Sequence, residues 1–364
     1  MMTDKKDTLI HGGDRQSFLE KFGREPLDFS ANVSPLGVPE TVRKRVAFSL
    51  DRQDRYPDPL CRRLRRKIGE REGVPGEWVL CGNGAADLIW RIVMTMEQGV
   101  PALLTAPAFA EYEAALRFRK AAVHYAMLRP ERNFDLPPDY PEQIPEGGIL
   151  FLCRPDNPTG RMPGEEMCRN VLETAADRHT LVVMDESFFP FLTDPAGSSA
   201  LCRLEEFPNL IVLKAFTKIY GMAGIRLGCC FCSDPSRLNA VRNAGQPWAV
   251  SGIAQEAGLA ALEDRAYVER VRKLICTERP FLENELKNAG FHVIPGAANY
   301  ILFQGPRELG DLLARRGILI RDCSNYRGLE PGWFRTAVRT REENRKLIRE
   351  IRAVKEVLDG NRCE

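Results

Sequence analysis

Apolar positions along this chain fall into two patterns. Between about Asp51 and Gly245, short continuous apolar runs recur, centred near Val79, Leu103, Val123, Leu150, Val182, Val212 and Cys230. Runs such as Thr180–Met184, rich in β-branched residues, predict strands buried on both faces. Segments of helical period separate several of them, Gly164–Asp177 among them. Strand and helix in alternation predict an α/β fold, a mostly parallel sheet with helices on both faces. A long helical stretch follows, Ser251–Ala289, with a break at Asp264. Beyond it come Phe291–Ile294, Tyr300–Phe303, the helix Pro306–Arg316, Ile318–Arg321, Phe334–Val338 and a final helix Arg341–Leu358. This second set predicts a smaller α+β domain. The expected division is a segment 1–50 packing on the small domain, a large sheet domain 51–245, connecting helices 246–289 and the small domain 290–364.

Composition narrows the classes. The chain has 364 residues, 44% hydrophobic and 28% charged, enough for a large core. A net charge of +2 is too small to argue for nucleic acid. The basic cluster Arg62-Arg63-Leu64-Arg65-Arg66-Lys67 has apolar positions at helical period, so it reads as a solvated helix face. No apolar run is long enough for a bilayer, and Met1–Lys6 has no signal core, so a cytoplasmic location is expected and no membrane partner. Eleven cysteines is an odd number, and Cys229-Cys230-Phe231-Cys232 lacks metal-ligand spacing. Reduced, buried thiols and no metal are expected.

Candidate chemistry sits at the ends of the predicted strands. Lys218 follows the Val212 run in Lys214-Ala215-Phe216-Thr217-Lys218, and Arg226 comes eight residues later, next to Leu227-Gly228. A lysine at a fixed point can bond a carbonyl carbon, and an arginine on a Gly-rich backbone can clamp a phosphate. Pyridoxal phosphate needs these two groups and an acid at its ring nitrogen. The acid is Asp185, closing the run Thr180–Met184, where open α/β sheets bind ligands. Asn157 stands in Asn157-Pro158-Thr159-Gly160, held extended by the proline. Gly82-Asn83-Gly84-Ala85 opens a helix and offers backbone amides to an anion. Singly, each has an ordinary reading: a surface lysine, a helix cap, a turn.

Together, in this order, the motifs resemble the fold-type-I pyridoxal phosphate enzymes, the aspartate aminotransferase superfamily. The resemblance implies that fold: a large mostly parallel sheet domain plus a smaller α+β domain. It implies Lys218 as the lysine that bonds the cofactor, Asp185 at the pyridinium nitrogen and Asn157 at the phenolic oxygen. It implies Phe109 stacked on the ring, and Gly84, Ala85, Thr217 and Arg226 at the phosphate. Tyr56, in Arg55-Tyr56-Pro57, matches a tyrosine that reaches the phosphate of a partner subunit, which implies a homodimer with shared sites. Two positions depart from the pattern. Phe188 stands where a tyrosine is common, and Ala215 where Ser or Thr is common.

The termini resemble one branch of the superfamily, the threonine-phosphate decarboxylases of cobalamin biosynthesis, relatives of the histidinol-phosphate aminotransferases. The motifs are His11-Gly12-Gly13-Asp14, Ser30-Ala31-Asn32-Val33-Ser34-Pro35, Gln246-Pro247-Trp248, Ile320-Arg321-Asp322-Cys323-Ser324-Asn325-Tyr326 and Phe334-Arg335. Asp14 and Ser34 depart from the asparagines usual there, while Phe188 fits the branch. The resemblance implies decarboxylation of L-threonine O-3-phosphate, with His11, Gly12, Asn32, Asn157, Arg321 and Arg335 around the substrate. Chemistry agrees: a phosphorylated amino acid brings two oxyanions, and arginine forks bind both kinds. Arg321 and Arg335 each read as following a short apolar strand, and Arg339 as structural. Transamination of histidinol phosphate and decarboxylation of phosphoserine stay open, because orientation of the substrate decides which bond breaks.

Overall fold

The computed structural model describes residues 11–192 and 199–360. After a two-residue strand, β1 (Leu27–Asp28), the chain forms seven strands that make one sheet: β2 (Val79–Gly82), β3 (Pro101–Ala106), β4 (Ala122–Met127), β5 (Ile149–Cys153), β6 (Leu181–Asp185), β7 (Leu210–Ala215) and β8 (Gly228–Phe231). Their order is β2-β8-β7-β6-β5-β3-β4. Only β8 is reversed among them, pairing antiparallel with both β7 and β2. All seven expected strands are present.

The apolar runs are continuous because both sheet faces are covered. In β6, Val182 and Met184 pack into one core and Leu181 and Val183 into the other. Leu150 and Leu152 of β5, against Ile149 and Phe151, divide the same way. Helices Gly84–Met94, Ala110–Phe118 and Pro235–Asn243 cover one face. Helices Arg62–Glu72, Glu165–Asp177, Gly252–Glu263 and Arg265–Asn288 cover the other. The basic cluster lies on the first of these, with Leu64 and Ile68 buried and most of its cations outward. Asp264 separates the last two helices and caps the second, accepting from the Tyr267 amide.

The small sheet is β12-β13-β10-β9, built from β9 (His292–Val293), β10 (Tyr300–Gln304), β12 (Arg321–Asp322) and β13 (Trp333–Ala337). The expected single strand Ile318–Arg321 is split. Its first half, β11 (Ile318–Leu319), pairs parallel with β1, and Ile320 turns the chain into β12. Period alone cannot show that one apolar run serves two sheets. The helix expected from Pro306 begins at Leu309. The cysteine run behaves as small apolar filling: Cys229 and Cys230 lie in β8 and Cys232 just beyond it, all buried.

Candidate active site

Parallel strands present their carboxyl ends on one edge, and the predicted residues collect there. Gly84 follows β2, Phe109 follows β3, Asn157 follows β5, Asp185 closes β6 and Lys218 follows β7. The reversal of β8 brings its amino end, with Arg226 just before it, to the same edge. Ala85, Phe109, Asn157, Asp185, Thr217, Lys218 and Arg226 line one cavity of about 130 Å³. A larger one of about 640 Å³ adjoins it and shares Phe109, Asn157, Lys218 and Arg226.

Lys218 lies on the short helix Phe216–Ile219, its Nζ 5.7 Å from the centre of the Phe188 ring. Burial pulls its pKa down to about 8; the charges of Arg335 and Arg226 add to this, and Asp185 opposes it. A lysine so shifted offers a neutral, nucleophilic amine near neutral pH. Asp185 is buried, with Oδ1 accepting from the Ser187 amide (2.8 Å) and Oδ2 from the Tyr112 hydroxyl (2.7 Å). The Tyr112 ring stacks on Phe151 at 4.7 Å and meets Phe109 edge-on at 5.5 Å. Asn157 is buried and accepts on Oδ1 from Arg335 Nη1 at 2.5 Å, so its NH₂ is the group left to donate.

The anion cradle is tightly built. Gly84 opens the helix Gly84–Met94 with φ +82°, and a Cβ there would lie 2.6 Å from Arg226 Nη2. A Cβ on Gly228 would lie 2.5 Å from the Ala85 amide. Only glycines allow the guanidinium and the first helical turn to come this close. Amides at a helix start with an arginine across them suit a phosphate. An amine, a carboxylate, an aromatic face and this cradle fit pyridoxal phosphate in donor set and arrangement.

The larger cavity is lined by His11, Gly12, Asn32, Tyr326 and Arg335 among others. His11 Nε2 lies 2.7 Å from Glu111 Oε1, and Glu111 Oε2 also accepts from Trp90 Nε1 (2.9 Å). The imidazole sits 5.6 Å from the Phe109 ring. At Gly12 a Cβ would strike the Ser30 carbonyl at 2.3 Å. Asn32 is buried, and its Oδ1 has no hydrogen-bond partner among the described residues. Arg335 donates to Asn157 and, through Nη2, to the Ser30 carbonyl (3.0 Å), and lies 5.4 Å over Tyr300.

Two placements differ from the sequence reading. Arg335 stands in the middle of β13 rather than after a strand, whereas Arg321 does come just after the apolar β11 but itself begins β12, as the register partner of Arg335. Arg321 does not line either cavity: it donates to Asn325 Oδ1 (2.8 Å) and lies 5.5 Å over the Tyr326 ring. Tyr56 is 82% exposed, its ring tilted against Trp248 at 4.7 Å, and away from the other cofactor residues of its own chain. Arg339 binds the Asp28 carbonyl and Glu343, tying the N-terminal segment to the last helix. Reading the sequence missed Tyr112, Ser187, Glu111 and Tyr326. Tyr112 had one available signal: it stands one helical turn after Phe109, on the same face.

The arrangement is that of a pyridoxal phosphate enzyme of fold type I. The chain belongs to the aminotransferase class I and II family, whose model matches residues 24–351, and its cofactor is pyridoxal 5'-phosphate. It is 32% identical over 352 residues to a threonine-phosphate decarboxylase of Salmonella typhimurium, covering 94% of this chain and 96% of that protein. It is 35% identical over 327 residues to a histidinol-phosphate aminotransferase of Symbiobacterium thermophilum, covering 88% of each. The crystal structure of L-threonine-O-3-phosphate decarboxylase from Porphyromonas gingivalis superposes with a TM-score of 0.80 at 26% identity, over 90% of this chain and 99% of that one. No helix among the described residues is long and apolar enough to cross a membrane.

Proposed function

We propose that this protein decarboxylates L-threonine O-3-phosphate to (R)-1-aminopropan-2-yl phosphate, in the assembly of the cobalamin nucleotide loop. The observation that carries the reading is the larger cavity beside Lys218, with the buried fork of Arg335 on one wall and Asn32 and the His11–Glu111 pair on another. Such a site suits a small substrate with an anion at each end. The end-to-end likeness to a threonine-phosphate decarboxylase supports the same reading.

In this reading Lys218, Asp185, Asn157, Phe109, Gly84, Ala85, Thr217 and Arg226 hold the cofactor. Bound there, pyridoxal phosphate supplies an electron sink for the bond broken at the substrate α-carbon. The chain's own residues decide which bond that is. Arg335 would take one anionic end of the substrate and so set which bond at the α-carbon is presented to that electron sink; for decarboxylation this would be the bond to the carboxylate, which would leave as carbon dioxide. Asp185, fixed by Tyr112 and Ser187, holds a proton on the ring nitrogen. Lys218 Nζ, its pKa pulled down to about 8 by burial, would deliver a proton to the α-carbon. Arg321 acts behind Tyr326 rather than on the substrate itself.

The protein works as a homodimer in this account. Tyr56, Trp248, Phe48 and Leu50 are large apolar residues exposed on one chain, and Tyr56 reaches the cofactor phosphate of the partner. The segment 1–50, the large domain 51–245, the connecting helices 246–289 and the small domain 290–364 are its proposed parts. Transamination of histidinol phosphate is the second reading, favoured by the 35% identical aminotransferase. Phosphoserine differs from phosphothreonine by one methyl, worth only ~1–3 kcal/mol of discrimination. Incubation of the purified enzyme with each phosphate ester separates these readings. Carbon dioxide and an aminopropanol phosphate are expected from phosphothreonine. An oxo product from histidinol phosphate with 2-oxoglutarate, and no carbon dioxide, would overturn the proposal.

A further inference from the structure

Residues 323–329 link β12 to β13 and so belong to the small sheet, yet they close against the large one. Four consecutive residues divide the work. Asn325 accepts from Arg321, and the Tyr326 hydroxyl lies 3.4 Å from Arg335 Nη1. Tyr326 thus holds Arg335 at the substrate side, and Asn325 ties in Arg321 behind it. Arg327 points the other way, donating from Nη2 to Glu113 Oε1 at 3.0 Å, on the helix Ala110–Phe118. Its guanidinium also lies 4.2 Å from the centre of the Tyr125 ring, in β4. Gly328 has φ +84°, and a Cβ there would stand 3.0 Å from Met127 Cε and 3.4 Å from the Ala106 carbonyl. The loop therefore bears directly on the edge of the large sheet.

We propose that Arg327 and Glu113 form a latch that positions Tyr326 and Arg335 over Lys218, tuning the grip on the substrate's anion without touching it. An exposed ion pair alone is worth little. This one is half-buried at Glu113 (24% exposed), and the same guanidinium adds a cation–π contact. The helix it grips is the one that carries Phe109 at its N-cap and Glu111, the partner of His11. Fixing the loop on this helix fixes the arginine relative to the residues around Lys218. Arg327 and Glu113 are positioning residues, and the inference rests on the reading that Arg335 takes an anion of the substrate.

The test compares Arg327→Met, Glu113→Gln, their combination and Arg327→Lys, all as holoenzyme. Arg327→Met should raise KM for O-phospho-L-threonine roughly three- to thirty-fold, with kcat changed less than about two-fold. The double variant should lose less than the sum of the two single ones, because both remove the Arg327–Glu113 contact, while Glu113→Gln also removes the pair with Arg117 and Arg327→Met the contact with Tyr125. Arg327→Lys should recover part of the loss. The dissociation constant of inorganic phosphate, titrated into each holoenzyme, should rise in parallel with KM. That titration needs no turnover, so a wild type that fails to decarboxylate phosphothreonine would sink the proposed function and still test the latch. Unchanged phosphate affinity in Arg327→Met, or additive losses in the double variant, would overturn the latch.

Discussion

Replacing Arg335 with alanine probes the substrate side of the site most sharply. The side chain is 5% exposed and makes two hydrogen bonds to buried acceptors, Asn157 Oδ1 and the Ser30 carbonyl. Its loss removes the counter-charge of a desolvated anion and strands both acceptors. Truncating one partner of a buried charged pair costs ~2–5 kcal/mol. At ~1.4 kcal/mol per tenfold, kcat/KM for the phosphorylated substrate should fall by roughly 30- to 5,000-fold. The phosphate cradle around Gly84 and Arg226 does not involve Arg335, so the variant should still retain pyridoxal phosphate, although Asn157 loses its Arg335 partner. A second readout is independent of turnover. The charge of Arg335 helps to depress the Lys218 pKa, so that pKa should rise in the variant. Steady-state kinetics of the holoenzyme, and the pH dependence of Lys218 acylation in the cofactor-free protein, would measure the two. Intact kcat/KM with an unmoved Lys218 would refute the placement of this arginine beside substrate and amine.

Lys218 makes cofactor-free stability depend on pH. Its folded pKa is about 8 against an ordinary 10.5, so between those values the unfolded chain binds more protons and stability rises with pH. Apo Lys218→Met should be more stable than apo wild type at pH 7 by about 2 kcal/mol, after a discount for the open cavity beside the amine. The difference should shrink through pH 8–10.5, as urea melts would show; a constant difference would contradict the assignment. Borohydride reduction of the holoenzyme should fix the cofactor on Lys218, and a label mapped to another lysine would displace it from its role. Tyr56→Phe should weaken cofactor retention in the dimer with little change in melting temperature, and full activity of a dilute monomer would rule out the shared site.

Much of the site was legible because strand ends have a fixed chemistry. A buried parallel strand announces itself by its apolar run, and its last residue must face the ligand edge. Asp185, Asn157 and Lys218 were placed on one edge by that rule, and the structure puts them around one cavity. What period does not encode is the rotation of a helix against the sheet. Tyr112 reaches Asp185, and Glu111 reaches His11, only through the angle at which the helix Ala110–Phe118 crosses the edge. The split of Ile318–Arg321 was hidden for a similar reason. The apolar run Ile318–Ile320 leads unbroken into Arg321, and the partner that claims its first half, β1, lies far off in sequence. Arg321 was read as a direct contact because charge at a strand end is visible in sequence; the Tyr326 ring and the Asn325 amide that engage it are not.

The central claim is that the bond broken at the α-carbon is the one to the carboxylate. O-Phospho-L-threonine carrying deuterium at the α-carbon tests it directly, with product analysed by mass spectrometry after complete turnover. Decarboxylation keeps that deuterium in the aminopropanol phosphate and adds one solvent hydrogen beside it, which is the predicted result. Loss of the deuterium to solvent, with the carboxylate retained in an oxo-acid product, would contradict the account.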